Sequence, residues 1–374
     1  MKLMVVQKQL GLAVKAINKC LNRRPHLPVL SGIHLIARDG QLVLMTTDLT
    51  AGLRIKIEAE ITEDGEVTVS GKNFVEAVGF FDGEKTEMDF VAGSEDKEMM
   101  MKNGRDKVKI PVMNDDFPAF AMTEGLNGVK KEVSFWKELV ARVAFAASND
   151  QSRPALTGIL LKKDSEGTHI VCTDGFRLAI WQTKEQVSDN EELNIIVSAK
   201  AITDVVAIAE ILEEKAVSLI HDEVGEQIWL EGERMTYFSK LINATYPPFE
   251  KIVPLDFSTE VSLNREEWLK NLSKASVFTK VDSNTVKMNI GDEVVEFSAV
   301  SLGDGSFQGQ QEIAKKSGEN LEISFNIKYL QDFLNTQECE TIWLGCNGPL
   351  SPVMIKDPAQ TEMIYIAMPF KPKN

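Results

Sequence analysis

Two stretches of this chain follow one grammar, and a chain that repeats a supersecondary unit has repeated a domain. Leu27–Ile55 and Arg153–Trp181 each read as two apolar strands around a polar turn, a tight corner and a third strand. Pro28 and Asp48 stand twenty residues apart, and so do Pro154 and Asp174. Between them Leu30-Ser31-Gly32-Ile33 answers Leu156-Thr157-Gly158-Ile159, and Thr47-Asp48 answers Thr173-Asp174.

The period reaches further. Lys72, Lys200 and Lys328 are spaced by 128 and 128, and at the same register Phe74, Ile202 and Leu330 are apolar, as are Val78, Val206 and Leu334. Arg142 and Lys270 are also 128 apart, with Lys15 another 127 before Arg142. Tyr246-Pro247-Pro248-Phe249 echoes Phe117-Pro118-Ala119-Phe120, the first prolines 129 apart. The simplest account is an α+β chain of three tandem domains, 1–125, 126–254 and 255–374, each with two helices on antiparallel sheets. Apolar spacing predicts helices over Gln7–Leu21, Gly71–Phe80, from an N-cap at Ser134, over Ser198–Leu212, after a capping box at Asn264–Glu267, and over Asn326–Leu334. Leu53, Ile55, Ile57, Ala59 and Ile61 alternate with charged residues as a half-buried strand does. The polar stretch Met122–Gly128 is the first linker candidate.

Composition narrows the function. No window approaches the roughly 18 apolar residues a membrane span needs, and the apolar run after Met1 is too short for a secretory signal. The expectation is a soluble cytoplasmic protein. Cys20, Cys172, Cys339 and Cys346 form no CxxC pair, and the four histidines, His26, His34, His169 and His221, show no metal spacing, so neither metal nor cofactor is expected. The net charge of −15 argues against nucleic acid, but its distribution does not. Residues 1–38 hold no Asp or Glu and carry +7, leaving −22 for the rest.

Three motifs invite chemistry. Gly303-Asp304-Gly305-Ser306-Phe307-Gln308-Gly309 nears a phosphate-loop pattern, but it lies between strands rather than at a strand-to-helix turn. Asp174 beside Arg177 offers a carboxylate and a guanidinium, yet no nucleophile or histidine accompanies them. Asp before Gly at a corner ordinarily caps backbone N–H groups, and Asp48 repeats the position. The cations are the positive signal: Lys15, Lys19, Arg142, Lys270 and Lys274 fall on the first helices of successive copies, and Lys72, Lys200 and Lys328 open the second. Copies arranged about an axis would turn these one way and present a wall that attracts phosphate without reading bases.

At these residues the chain resembles the bacterial DNA polymerase III beta subunit family, the replicative sliding clamps. The resemblance runs over essentially the whole length. It rests on Arg24-Pro25, Leu27-Pro28-Val29-Leu30, Leu156-Thr157-Gly158, Val171–Ala179, Ser239-Lys240-Leu241, Tyr246-Pro247, Phe325–Tyr329 and Met368-Pro369-Phe370. It implies a non-catalytic head-to-tail homodimer whose six domains form a ring around duplex DNA, held to the nucleoid in the cytoplasm. Implied partners are DNA polymerase III alpha and other polymerases, the clamp loader, mismatch-repair proteins and ligase, each through a short glutamine-containing hydrophobic peptide. Arg24 matches a position that touches DNA in the family and Arg153 lies near another, with Arg23 in the same basic run.

Carried over position by position, the peptide cleft begins with Leu156 and the corner residues Thr173, Gly175, Phe176, Arg177 and Leu178. It continues through Pro247, Lys251 and Ile252, then Asn326 and Tyr329, and ends on Leu350, Pro352, Ile366, Met368, Pro369 and Phe370. The dimer seam would pair Phe81, Val108 and Ile110 with Val277 and Phe278. Val108 and Ile110 alternate with Lys107 and Lys109, as an edge strand should. Phe176 departs from a familiar histidine, Lys251 from an arginine, and Lys371–Asn374 runs past the usual end. An enzyme with its site at Asp174 and Arg177 is the alternative from another class, and a module that grips DNA by affinity without closing a ring is a third.

Overall fold

The computed structural model describes all residues except 24, 91–97, 119, 121–125, 166, 186, 188–191, 280–283, 302–304 and 371–374. Arg24, most of the Met122–Gly128 linker, the Gly303-Asp304 pair and the Lys371–Asn374 tail therefore lie outside the described residues. Six helices occur among the described residues: α1 Gln7–Ile17, α2 Gly71–Phe80, α3 Val133–Val143, α4 Ala199–Ile211, α5 Arg265–Ser276 and α6 Ile327–Leu334. No helix is long and apolar enough to cross a membrane among those residues.

The second helices carry the period to the residue: Gly71, Ala199 and Ile327 open α2, α4 and α6, and Lys72, Lys200 and Lys328 each stand second. The first helices do not keep it. Arg142 is the tenth residue of α3, whereas Lys270 is the sixth of α5, so their spacing of 128 is not structural equivalence.

α1 ends four residues before its apolar stripe does. Lys19 N–H bonds to Ala16 O and Cys20 N–H to Ile17 O, so the chain tightens into i→i+3 turns after Asn18. Leu21 still packs, since a Cβ on Gly71 would come within 2.6 Å of its Cδ1. Ser134 lies inside α3 rather than capping it, and its hydroxyl donates to Glu132. Asn264 does cap α5, accepting from Glu267 N–H at 3.1 Å, and Asn326 caps α6, accepting from Lys328 N–H at 2.9 Å. The strand running from Leu53 breaks at Ala59, whose N–H turns to Gly40 O, leaving strands Ala51–Glu58 and Glu60–Glu63.

The chain forms two compact units. One comprises Met1–Lys137, Val187–Asn190 and Lys200–Leu241, and the other Glu138–Gln186, Glu191–Ala199 and Ile242–Asn374. The first holds a five-stranded sheet ending on Asp106–Pro111 and an eight-stranded sheet, and the second holds one sheet of twelve strands. Within these the repeat is plain. Gly65–Ser70, Gly32–Arg38, Gln41–Thr47 and Ala51–Glu58 lie side by side in that order. Leu193–Ser198, Gly158–Asp164, Gly167–Thr173 and Arg177–Thr183 take the same order, and so do Leu321–Asn326, Thr285–Ile290, Val294–Ser301 and Gly305–Gly318.

Neighbouring copies join edge to edge. Met235–Lys240, the last strand of the second copy, pairs antiparallel with Ala51–Glu58, the fourth strand of the first. Met363–Ala367, the last strand of the third copy, pairs in the same way with Arg177–Thr183. The echoed proline segments seal these seams with an aromatic ring. Phe120 lies 4.8 Å from Phe238, whose strand partner is Gly52, where any Cβ would stand 2.4 Å from the Phe238 ring. Phe249 packs in a cluster with Leu178 and Ile366, which are partners across the second seam.

Candidate functional site

The apolar logic of Arg177–Thr183 explains a site built at its first residue. A strand buried on both faces cannot open with a loose guanidinium, so Arg177, only 6% exposed, is met by two carboxylates and two aromatic rings. Its Nε donates to Asp174 Oδ2 at 3.0 Å, and its Nη1 to Asp332 Oδ2 at 2.6 Å. The guanidinium lies 4.8 Å over the Tyr329 ring and 5.7 Å over Phe145. Burial opposes its charge, but the hydrogen bond to Asp332 and the neighbouring carboxylates more than offset this, and its pKa sits above the usual arginine value.

Asp174 is spent on the corner. Besides Arg177 Nε, its Oδ1 accepts from Phe176 N–H at 2.8 Å and Arg177 N–H at 3.0 Å. Thr173 completes the turn, donating to Arg177 O and accepting from Gly175 N–H. Gly175 sits at φ +93°, where a side chain would be strained, and a Cβ would crowd Arg153 Nη1 at 3.3 Å. Asp48 reproduces the corner in the first copy, accepting from Thr50 N–H, Thr50 Oγ1 and Ala51 N–H, without an arginine.

The corner projects Phe176, 46% exposed, beside the end of the chain. Met368 N–H donates to Phe176 O at 2.8 Å, Phe370 N–H to Ser324 O at 2.7 Å, and the Phe176 and Phe370 rings lie 6.1 Å apart. Leu156, Thr173, Leu178 and Ile366 are buried beneath, so they set the shape of the floor rather than offer surface. Exposed Ile252, Lys251 and Leu350, with half-buried Pro247, Pro352, Met368 and Pro369, supply accessible area on the same unit. Asn326 is occupied by capping and by Asn284 Nδ2, while Tyr365 donates its hydroxyl to Tyr329 O, at the C-terminal side of that residue. These side chains provide an apolar, proline-stiffened surface with few free polar groups, suited to binding rather than bond making.

The cations are less uniform than their spacing suggests. Lys15 in the last turn of α1, Lys72 in α2 and Lys274 in α5 are exposed. Lys19 lies beyond the end of α1, and Arg23 is exposed in the turn that follows. Lys200 pairs with Asp204, Lys270 with Glu266 at 4.0 Å, and Lys328 with Asp332 at 2.8 Å. Arg142 is drawn in: at 18% exposure it bonds Glu138 at 2.7 Å and lies 5.1 Å over Trp181, with Glu362 3.9 Å away. Arg153 is held by Asp150 and the Asp174 carbonyl at the rim of the corner.

At the seam positions, Phe81 and Ile110 are enclosed by the chain's own core, while Val108 and Phe278 are half-buried and Val277 is exposed. The apolar area at the end of α2 is Phe80, 82% exposed. Its exposure is legible in the pattern: Phe74, Ala77 and Val78 trace the buried stripe of α2, and Phe80 falls off it. Asp332 had no such signal, lying 155 residues from the arginine it holds.

Sequence profiles of the DNA polymerase III beta subunit match along the chain: the N-terminal domain over residues 1–121, the central domain over 131–248 and the C-terminal domain over 250–371. A curated relative, the beta sliding clamp of Synechococcus elongatus, is 24% identical over 99% of both chains. Among solved structures, the DNA polymerase sliding clamp of Bacillus subtilis aligns over all of both chains with a TM-score of 0.91 at 23% identity. The DNA polymerase III beta subunit of Thermotoga maritima does so with 0.89 at 26%.

Proposed function

The chain belongs to the DNA polymerase III beta subunit family, and on that premise we propose that it is a DNA sliding clamp, a ring that encircles duplex DNA and tethers the replicative polymerase. One observation carries the ring. The last strand of the second and of the third copy pairs with the fourth strand of the copy before it, as Met235–Lys240 does with Ala51–Glu58 and Met363–Ala367 with Arg177–Thr183. The series leaves two strands over. Asp106–Pro111, last of the first copy, ends its sheet, and Gly305–Glu312 of the third copy pairs with Val294–Ser301 on one side only among the described residues. Joining these between two chains, twice, removes both open edges and closes three tandem domains per chain into a ring of six. In this reading the domains are 1–125, 126–254 and 255–374. Phe80, Val108, Val277 and Phe278 meet across the seam, with Phe81 and Ile110 backing them from the core.

Duplex DNA would be held through phosphates by the exposed cations Lys15, Lys19, Arg23, Lys72 and Lys274, with Lys200, Lys270 and Lys328 available once their carboxylates release them. Retention is topological, so weak contacts suffice. Polymerases, a clamp loader and repair proteins would dock short apolar peptides on the surface around Phe176, Tyr329 and Phe370. The alternative of an enzyme at Asp174 and Arg177 is not favoured, because both carboxylate oxygens of Asp174 are engaged within the turn and its ion pair. Small-angle scattering on the purified chain tests the ring. A particle of twice the 41.6 kDa chain mass with the profile of a hollow disc is expected. An elongated three-lobed monomer at every concentration would overturn it.

A further inference from the structure

Asp332 divides one carboxylate between two cations of different standing. Oδ2 accepts from buried Arg177 Nη1 at 2.6 Å and from Lys328 Nζ at 2.9 Å, and Oδ1 accepts from Lys328 Nζ at 2.8 Å. Lys328 is exposed and Asp332 is itself only 20% exposed. Both lie on α6, one turn apart, and Tyr329 between them carries its ring under the Arg177 guanidinium. The other anchor of Arg177, Asp174, belongs to its own strand corner. Asp332 is thus the ion pair by which α6 and its Tyr329 are registered against the corner that presents Gly175 and Phe176.

We propose that Asp332 is a positioning residue for the peptide cleft, fixing Arg177 over Tyr329, and that Lys328 competes with Arg177 for it. This rests on the reading of the Phe176–Tyr329–Phe370 surface as a peptide site. Without the carboxylate's charge, Arg177 Nη1 has at best a neutral amide oxygen as acceptor in a position water scarcely reaches, and the guanidinium is held over the Tyr329 face less firmly. The floor beneath, built from Leu178 and Ile366, does not depend on it. Removing Lys328 acts oppositely: the carboxylate is left to Arg177 alone, and the ring contact is held more firmly.

The test is fluorescence polarisation on the full chain, with a fluorescein-labelled pentapeptide of an N-terminal glutamine, three leucines and a C-terminal phenylalanine as probe. Asp332→Asn keeps the shape and removes the charge. It is expected to weaken the probe about tenfold, or about 1.4 kcal/mol at 25 °C, with the native fold retained by circular dichroism. Asp332→Glu should recover part of that loss, and Lys328→Ala should tighten the probe about twofold. A merely structural Asp332 would lower the thermal midpoint and leave probe affinity at 25 °C unmoved. Wild-type binding with Asp332→Asn within twofold of it overturns the assignment of Asp332 alone. Equal weakening by Lys328→Ala also overturns it, since damage to α6 would then explain both. A wild-type chain that does not bind the probe overturns the peptide reading itself, and this proposal with it.

Discussion

The twin corners at Asp48 and Asp174 allow the chain to serve as its own control. Both carboxylates accept backbone N–H bonds across the same turn, but only Asp174 also holds a buried arginine. Asp48→Ala removes turn bonds that solvent can replace, at a cost of about 1 kcal/mol. Asp174→Ala removes the equivalent bonds and half of the ionic support of Arg177. Breaking a buried pair outright costs roughly 3–5 kcal/mol. Because Asp332 still bonds Arg177 at 2.6 Å, the lower end applies, about 3 kcal/mol. Native-state hydrogen exchange reads the two corners separately in one molecule. Opening of the amides of Gly167–Thr173 and Arg177–Thr183 should become cheaper by about 2 kcal/mol more in Asp174→Ala than opening of Gln41–Thr47 and Ala51–Glu58 does in Asp48→Ala, or about 30-fold in exchange rate. If the two variants lose protection equally, the guanidinium contributes nothing beyond the turn, and the account of Arg177 as a charge held from two sides fails.

Two further predictions follow from exposure and burial. Phe80→Asp should leave the protomer folded, since the residue is 82% exposed, yet shift the proposed dimer toward monomer at micromolar concentration in sedimentation velocity. A dimer as tight as wild type would remove α2 from the seam. Burial pushes the Cys20 thiol up from its ordinary value to about 12, and Cys339 and Cys346 to about 11. An acid whose folded pKa is raised stabilises the fold below its unfolded value and loses that contribution as pH climbs toward the folded one. Urea midpoints should therefore fall between about pH 9 and 12, and less so in Cys20→Ala; a midpoint flat across that window would contradict the burial of these thiols.

What the sequence made legible was whatever is local or periodic. The second helices open 128 residues apart, each directly after a strand, and the lysine in their second position is exposed in all three, with Lys200 and Lys328 each pairing with an aspartate one turn on. The caps at Asn264 and Asn326 follow from side-chain chemistry within three residues. What it hid was whatever depends on a partner far along the chain. Arg142 and Lys270 look alike in spacing, but Trp181 and Glu362 draw the first against the sheet while the second stays in water. Phe81 looks as apolar as Phe80, but the helix ends between them: Phe80 closes α2 facing out, and the extended backbone at Phe81 turns its ring into the core. Asp332 could be seen as the i+4 partner of Lys328, though not as the partner of Arg177.

The cations proposed to meet DNA share a feature that bears on sliding. Lys200 carries Asp204 one turn away, Lys270 carries Glu266 and Lys328 carries Asp332. All three lysines are exposed, and an ion pair with an exposed lysine contributes about 0–1 kcal/mol, so a phosphate can draw the lysine away from its carboxylate at little cost and the carboxylate, which stays in place, can reclaim it as readily. Each acid therefore behaves as a tethered counterion. A protein that must stop on DNA gains by leaving its lysines unpaired and binding phosphate tightly. A ring that already encloses its substrate has no need of affinity, and tight contacts would only raise the barrier between successive phosphate registers. On the proposed reading, pairing would lower the depth of each register while the lysines stay available to the duplex. The excess of −22 beyond residue 38 is then compatible with DNA binding, because it repels nucleic acid where no cation faces it and moderates contact where one does.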